Sequence, residues 1–248
     1  MTSVRGTRAV RTAAALAGAA LAAYELPALT FLSPALRRRL AIVDRVAGNR
    51  VALTFDDGPH RSGTPAVLAA LEAEAVSATF FLVGEQVVRE PGIAAEIAAA
   101  GHEIGLHCHR HRLLLGLTPA QVDDDLSRAA EAIESATGRR TVLYRPPYGV
   151  FNLAALRAVR RFGWQPTHWS RWGRDWERWA TPESIVSNLC RDLEAGEVML
   201  LHDADHYSAP GSWRATAACL PRLIETLRRR ALEPGPLAPL AAAGAGAR

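Results

Sequence analysis

Short apolar runs alternate with longer helix-like segments from residue 51 to residue 230. The runs have the length and composition of buried strands, and the segments between them have the length of helices. We predict strands at residues 51–55, 78–83, 102–106, 141–144, 165–169 and 197–201. We predict helices at residues 64–75, 84–100, 118–137, 152–162, 182–194 and 212–230, the second of them interrupted near Pro91. The alternation predicts an α/β fold with a parallel sheet, either open or closed into a barrel.

The first 49 residues do not follow this pattern. Three arginines precede an uncharged, alanine-rich run at residues 12–24, which contains the small-residue sequence Ala20-Leu21-Ala22. This is typical of a signal peptide with a cleavage site, and the run is short for a membrane-spanning helix. For residues 1–49, a signal peptide, a signal-anchor and a helix packed on the domain remain open. We assign residues 50–237 to one folded domain and residues 238–248, rich in Ala and Gly, to a flexible tail.

Composition narrows the classes of function. The 248 residues are 49% hydrophobic and 22% charged, which fits one domain with a substantial core. All 29 basic residues are arginine and the net charge is +4, but no basic block is interleaved with aromatic residues, so we expect no nucleic-acid partner. The three cysteines, Cys108, Cys190 and Cys219, are too few and too irregularly spaced for a disulfide framework, although one Cys190–Cys219 bridge stays open.

Unusual polar or aromatic residues follow five of the six predicted strands. They are Asp56 and Asp57 after the first strand, His107 and His111 after the third, Arg145 after the fourth, Trp169 with Asp175 and Trp176 after the fifth, and His202 with Asp203 after the sixth. In a barrel of parallel strands all these ends lie at one rim, where barrel enzymes hold their catalytic residues. The order of residues therefore predicts a site at this rim.

Asp56 and Asp57 are adjacent carboxylates at the end of an apolar strand. Their mutual repulsion and lost hydration cost free energy unless a cation or a proton compensates them. Gly58-Pro59 then turns the chain. One interpretation is a turn stabilised by an Asp side chain. The other is a site in which one carboxylate binds a metal and the other acts as a base.

His107 and His111 are four residues apart, so on one helical turn they can reach the same cation. With a carboxylate from a neighbouring strand they form a His-His-Asp set, and three protein ligands with an open position are typical of catalytic zinc. Cys108 and His109 are alternative ligands, since an extended backbone would place residues 107, 109 and 111 on one face.

Taken together, these residues resemble the five motifs of the NodB-type polysaccharide deacetylases, carbohydrate esterase family four, over residues 50–237. The matching stretches are Thr54-Phe55-Asp56-Asp57-Gly58-Pro59, Gly101-His102-Glu103-Ile104-Gly105 with His107 and His111, Arg145-Pro146-Pro147-Tyr148-Gly149, Asp175-Trp176, and Leu200-Leu201-His202. Five motifs in the family's order make the resemblance specific. It implies a distorted or incomplete (β/α) barrel, a divalent metal, and hydrolysis of acetyl groups on a glycan.

The resemblance also implies a role for each matched residue. The metal, zinc with cobalt or nickel as alternatives, would be bound by Asp57, His107 and His111. Asp56 would be the general base, held in place by Arg145. His202 would be the general acid, oriented and kept charged by Asp175. The chemistry needs such a pair, because an attacking water must lose a proton and a departing amine must gain one.

Substrate contacts follow from the same resemblance. The backbone N–H of Tyr148 would bind the oxyanion, Leu200 would line the acetyl pocket, and Trp176 would contact the sugar. Aromatic subsites are expected among the tryptophans at positions 169, 172, 176 and 179, although some of these can simply cover the barrel. Departures from the family pattern occur at Cys108, usually Ser or Thr, at Leu106, often Asn, and at Ser170, often Asp. These three departures affect which substrate contacts and which metal we expect.

The expected function is metal-dependent hydrolysis of N-acetyl groups on a glycan similar to peptidoglycan or chitin. Alternatives are an O-acetyl esterase acting on acetylated xylan and a catalytically inactive glycan-binding relative. A missing base, acid or ligand would favour the inactive relative, and all are present. A structural metal domain would need paired cysteine ligands, which the sequence lacks. We expect a monomer, secreted or in the cell envelope, with membrane association through the N-terminal segment.

Overall fold

The computed structural model describes residues 3–237, with side chains from residue 14 onward, so the predicted tail at 238–248 lies outside the described residues. Its sheet is entirely parallel, in the order β5-β4-β3-β2-β1-β7-β6, with β8 paired beside β1. The strands are β1 (Arg50–Asp56), β2 (Thr79–Val83), β3 (Glu103–Cys108), β4 (Leu143–Tyr144), β5 (Gln165–Pro166), β6 (Arg171–Trp172), β7 (Val198–His202) and β8 (Glu233–Gly235). Because β5 and β6 are the two ends of this path and do not pair, the incomplete (β/α) barrel is confirmed.

Helices cover the outside of the sheet. They are α1 (Ser3–Glu25), α2 (Pro34–Arg39), α3 (Gly63–Ala73), α4 (Gly84–Arg89), α5 (Pro91–Ala99), α6 (Pro119–Thr137), α7 (Leu153–Phe162), α8 (Pro182–Cys190) and α9 (Trp213–Arg229). The long helix α6 shows how local sequence sets these limits. Thr118 and Gln121 form a capping box at its start, and Gly138 ends it in the left-handed conformation.

Most predicted elements are confirmed, including the helix break at Pro91, but some elements are shorter than predicted and two strands were not predicted. The predicted strand at 165–169 ends at Pro166, and Thr167 then forms an isolated parallel bridge with Val43. The predicted helix at 182–194 ends at Cys190. Strands β6 and β8 were not predicted, since two or three residues are too few for a periodic pattern.

Strand β1 separates two apolar layers and so positions the site. Val51, Leu53 and Phe55 point into the main core beneath the helices, whereas Ala52 packs with a smaller cluster inside the half-barrel. Side chains alternate along a strand, so Thr54 and Asp56 share the inner face with Ala52. The inner face changes from apolar to polar toward the carboxyl end, where Asp56 is the last strand residue.

The N-terminal segment packs against the domain from Tyr24 onward. The Tyr24 hydroxyl donates to the Leu117 carbonyl at 2.6 Å, and a Glu25 carboxylate oxygen accepts from the Gly116 N–H at 2.8 Å. Further along, Val43 forms a parallel bridge with Thr167. In contrast, residues 14–23 of α1 are exposed. The window Ala14–Phe31 is long and apolar enough to cross a membrane, a property that signal sequences share.

All three cysteines are free and buried, and the Cys190–Cys219 bridge that the sequence left open is absent. Burial raises the pKa of each thiol above its ordinary value. These side chains therefore belong to the packed interior.

Candidate active site

The two adjacent aspartates lie where β1 ends, in different surroundings. Asp56 closes the strand and is in register with Phe81 of β2 and His202 of β7. Asp57 leaves the strand with φ of 78°, a left-handed conformation that is strained for a residue with a side chain. Both carboxylates are buried. The turn therefore directs two carboxylates into the site at the carboxyl ends of the central strands.

Arg145 neutralises one of these carboxylates. Its guanidinium is fully buried, and Nη1 donates to Asp56 Oδ1 and Thr54 Oγ1, each at 2.8 Å. Nη2 donates to the His168 carbonyl at 3.0 Å. These charge-assisted bonds fix one oxygen of Asp56 and leave Oδ2 without a bond to the arginine.

Asp57, His107 and His111 place one ligand atom each within 4.8 Å of one another. The Nε2 atoms of His107 and His111 lie 3.5 Å and 3.3 Å from Asp57 Oδ1. His107 Nδ1 lies 2.7 Å from the Arg145 carbonyl and must donate to it, so its Nε2 carries a lone pair. Asp57 Oδ1 is buried and has no hydrogen-bond partner among the described residues. An unpartnered oxygen facing the lone pair of His107 is repulsive without a cation, so this set fits a divalent metal.

The protonation states agree with that chemistry. Burial lowers the pKa of His107 to about 3, and burial together with neighbouring His107 lowers that of His111 to about 3. Both rings are therefore neutral at pH 7, as metal ligands must be. Burial raises the pKa of Asp57 to about 7, against the lowering effect of His202. A bound cation would favour the ionised carboxylate.

The pKa of His202 is raised, in contrast to those of His107 and His111. Its Nδ1 lies 2.9 Å from Asp175 Oδ1, and its backbone N–H donates to Asp175 Oδ2 at 2.7 Å. Burial alone would lower the pKa of His202, but Asp175, with Asp57 and Asp56, outweighs it and raises the pKa to about 10. Thr216, on α9, also donates to Asp175 Oδ2 at 2.8 Å. The ring is thus held protonated, with Nε2 4.0 Å from Asp57 Oδ2.

A cavity of about 270 Å³ lies against these groups. Its polar lining comprises Asp56, Asp57, His107, His111, His202 and Ser208. Its aromatic and apolar lining comprises Phe31, Tyr148, Trp169, Trp172, Trp176, Leu200 and Tyr207. The volume is close to the lower end of the range for small-ligand pockets, about 300 Å³. Aromatic faces beside polar groups suit a sugar ring that carries a short acyl group.

The structure brings the predicted site residues together around this cavity. Arg145 and Asp175 lie behind it, bonded to Asp56 and His202. The alternative ligands do not join the cluster: His109 packs against Gly84, and Cys108 is buried in β3. Trp179 is 74% exposed and is not among the cavity-lining residues.

Several residues of the site were not predicted from the sequence. Phe31, Thr54, His168, Tyr207 and Thr216 all contact the cavity or the groups that support it. Thr54 stands inside the first motif, and alternation with Asp56 on one strand face could have identified it. The other four lie far along the chain from the residues they contact, and no spacing rule connects them.

Known polysaccharide deacetylases are similar to this chain in sequence and in fold. The family model described as polysaccharide deacetylase matches residues 44–167. A chitooligosaccharide deacetylase of Bradyrhizobium sp. (strain ANU 289) is 36% identical over 203 residues, covering 77% of this chain and 91% of the relative. A peptidoglycan-N-acetylglucosamine deacetylase of Bacillus cereus is 32% identical over 182 residues, covering 73% and 82%. The crystal structure of the Bc1960 peptidoglycan N-acetylglucosamine deacetylase has a TM-score of 0.76 at 27% identity, covering 83% of this chain and 95% of that chain.

Replacing Asp175 by Asn should lower the pKa of His202 by about 1–3 units, because the carboxylate that opposes the effect of burial is lost. NMR titration of the His202 ring in metal-free protein measures this shift. The elevated pKa stabilises the fold fully below the unfolded value of about 6.5, and this contribution is lost as pH rises toward about 10. Thr216→Val is the matched control: it keeps the charge of Asp175 and should move the pKa much less. Equal shifts in the two variants would contradict the assignment.

Proposed function

We propose, because this chain belongs to the polysaccharide deacetylase family, that its site hydrolyses N-acetyl groups on an envelope glycan built from N-acetylglucosamine. The chain is a hydrolase of carbon–nitrogen bonds in polysaccharides. The observation that carries the finer proposal is one cavity lined by the His-His-Asp set, a second buried aspartate and a protonated histidine. Amide hydrolysis needs a group that polarises the carbonyl, a base that takes a proton from water and an acid that protonates the departing amine.

Asp57, His107 and His111 are the proposed metal ligands, with zinc as the leading ion and cobalt or nickel as alternatives. Two imidazoles and one carboxylate leave a coordination position open, as catalytic zinc sites do. Bound there, a divalent cation supplies Lewis-acid polarisation of the acetyl carbonyl and lowers the pKa of a water molecule. The hydrogen bond from His107 Nδ1 to the Arg145 carbonyl keeps the ligating tautomer in place.

Asp56 is the proposed general base. Its Oδ1 is held by Arg145, so Oδ2 is the oxygen that can take a proton from the attacking water. The same oxygen lies 4.0 Å from His107 Nε2, which places the base beside the proposed metal ligands. The guanidinium therefore orients Asp56 and keeps its charge compensated in a buried position.

His202 is the proposed general acid. Its raised pKa provides a proton at Nε2 for the departing amine nitrogen, and the bonds to Asp175 fix the orientation of the ring. After that transfer the proton taken by Asp56 balances the one that His202 has given. The backbone N–H of Tyr148 is proposed to stabilise the oxyanion, a role that needs a fixed donor in a site with little water.

Leu200 and Trp176 are the proposed substrate contacts. Leu200 is buried on the inner face of β7 and lines the cavity, so it can receive the methyl group of the acetyl. The ring of Trp176 packs edge-on against His202, with centroids 5.5 Å apart, and can contact the sugar beside the scissile bond. Trp169 and Trp172 extend this aromatic surface along the cavity.

Both sequence relatives deacetylate glycans: one is a chitooligosaccharide deacetylase and the other acts on peptidoglycan N-acetylglucosamine. These names support an envelope or chitin-like substrate for this chain. We propose separately that the chain acts as a monomer. We further propose that residues 1–23 direct the protein to the cell envelope as a signal peptide or membrane anchor. The apolar, exposed stretch at 14–23 and the start of packing at Tyr24 support this.

The function is tested by acetate release from N-acetylated chitooligosaccharides, peptidoglycan fragments and acetylated xylan, each with and without a chelator. We expect release from an N-acetylated glycan, loss of release after chelation and recovery with added zinc, because the ligand set fits a divalent cation. Release from acetylated xylan alone would favour the O-acetyl esterase. No release from any substrate by metal-loaded protein would favour the inactive relative.

Asp56→Asn should lower kcat by about 100- to 10,000-fold, the usual contribution of a general base, while the metal stays bound. The amide retains the size of the carboxylate but cannot accept the proton. Acetate release and metal content measured on the same sample check both parts. Asp124→Asn, at an exposed position on α6, is the matched control and should retain activity. Near-normal turnover of Asp56→Asn would remove it from the role of base.

His107→Ala should lose bound metal and activity together, because two protein ligands rarely hold zinc at a catalytic site. Elemental analysis after dialysis measures the metal content. Cys108→Ser and His109→Ala are matched controls at the adjacent alternative ligands, and both should keep one equivalent. If His107→Ala kept its metal and either control lost it, the ligand assignment would move to that neighbour.

A further inference from the structure

Tyr207 lies in the loop after β7, outside all five motifs, and its ring stacks on His111. The ring centroids are 4.3 Å apart and the planes are inclined by only 14°. On another side of the imidazole, Tyr148 makes an edge contact at 4.8 Å with an interplanar angle of 68°. The position of the His111 ring is therefore defined by two aromatic side chains from different loops.

Among the described residues, no other residue gives His111 the hydrogen bond that orients most metal-binding histidines. Such a histidine almost always donates its second ring nitrogen to a carbonyl, a carboxylate or water. His107 does so, with Nδ1 2.7 Å from the Arg145 carbonyl. In the described part of the chain, Nδ1 of His111 is buried and has no hydrogen-bond partner in another residue. The contacts from other residues that restrain its plane are therefore the two aromatic ones.

Tyr207 is itself fixed at its far end. Its hydroxyl donates to Glu85 Oε1 at 2.8 Å and accepts from Gln86 Nε2 at 3.0 Å. Both partners stand on α4, directly after β2, and Gln86 is buried. The phenol ring is therefore anchored to a helix at its hydroxyl end and by its own backbone to the β7 loop. An anchored ring restricts rotation of the imidazole that it covers.

We propose that Tyr207 is a positioning residue for His111: its anchored ring replaces the missing hydrogen bond and holds Nε2 toward Asp57. The inference rests on the proposed role of His111 as a metal ligand. It explains why Nε2 stays 3.3 Å from Asp57 Oδ1 although Nδ1 is unpartnered. It also joins the metal set to the loop that begins at His202, so that ligand geometry and the general acid share one support.

The test measures metal affinity, not turnover alone. Tyr207→Leu removes the flat ring and should weaken zinc binding by about 10- to 100-fold, the usual cost of losing a residue that orients a ligand. Tyr207→Phe keeps the stacking contact but loses the bonds that anchor the ring, so it should weaken zinc binding less than Tyr207→Leu does. Competition with a chromophoric chelator gives both affinities. The visible absorption spectrum of cobalt-loaded protein reports ligand geometry, and it should change more for Leu than for Phe.

Tyr24→Leu is the matched control. It removes another half-buried tyrosine whose hydroxyl donates a hydrogen bond, at a position away from the cavity lining, and it should leave zinc affinity unchanged. Circular dichroism and melting of the metal-free proteins check that each variant folds. If Tyr207→Leu fails to fold, Tyr207→Met fills the space with a flexible chain, and the same weakening is expected.

The outcomes separate this inference from the proposed function. A wild type that binds zinc and releases acetate, with wild-type affinity in folded Tyr207→Leu or Tyr207→Met, overturns the role of Tyr207 alone. A wild type that binds no divalent metal overturns the ligand assignment, and the inference with it. Weakening of the same size in Tyr24→Leu would show that general destabilisation is being measured, and it would also overturn the inference.

Discussion

The buried ion pair between Arg145 and Asp56 is the interaction on which the rest of the site depends. A guanidinium with no exposed surface is costly unless most of its donors are used. Here Asp56, Thr54 and the His168 carbonyl accept from the two Nη atoms, and only Nε has no hydrogen-bond partner among the described residues. Its charged carbon also lies 4.1 Å from the centre of the Phe81 ring. The carbonyl of the same residue fixes the tautomer of His107. One arginine thus orients the proposed base and one proposed metal ligand.

The same pair explains why adjacent aspartates have different chemistry. Asp56 has an internal cation within hydrogen-bond distance, whereas Asp57 is turned by its left-handed backbone toward two neutral imidazoles. Burial then raises the pKa of Asp57 to about 7, so the metal-free site is poorly suited to hold a full charge there. A divalent cation removes this conflict. The strained turn is therefore consistent with a site arranged for an ion from outside the chain.

The sequence predicted the parts of the site that follow from strand order. Parallel strands place their carboxyl ends at one edge, so Asp56, His107, Arg145 and His202 were expected to meet, and the structure brings them together. Tyr207 and Phe31 could not be predicted, because each reaches the site through loop or segment packing between residues far apart in the chain. The choice between His109 and His111 was open for a related reason: it depends on how the chain turns after Cys108, which spacing does not determine.

The N-terminal segment cannot both line the cavity through Phe31 and place Phe31 in a membrane. Phe31 lines the cavity and packs edge-on against Trp169, with centroids 6.4 Å apart, while Tyr24 and Glu25 bond to the loop before α6. With these contacts made, the uncharged run at residues 12–23 is about 18 Å long as a helix, well short of a hydrocarbon core of about 30 Å. A crossing that used the window Ala14–Phe31 would withdraw Phe31 from the cavity wall. Crossing by that window and a complete cavity therefore exclude each other, so the docked conformation is compatible with the proposed signal peptide or with an anchor that lies before Tyr24.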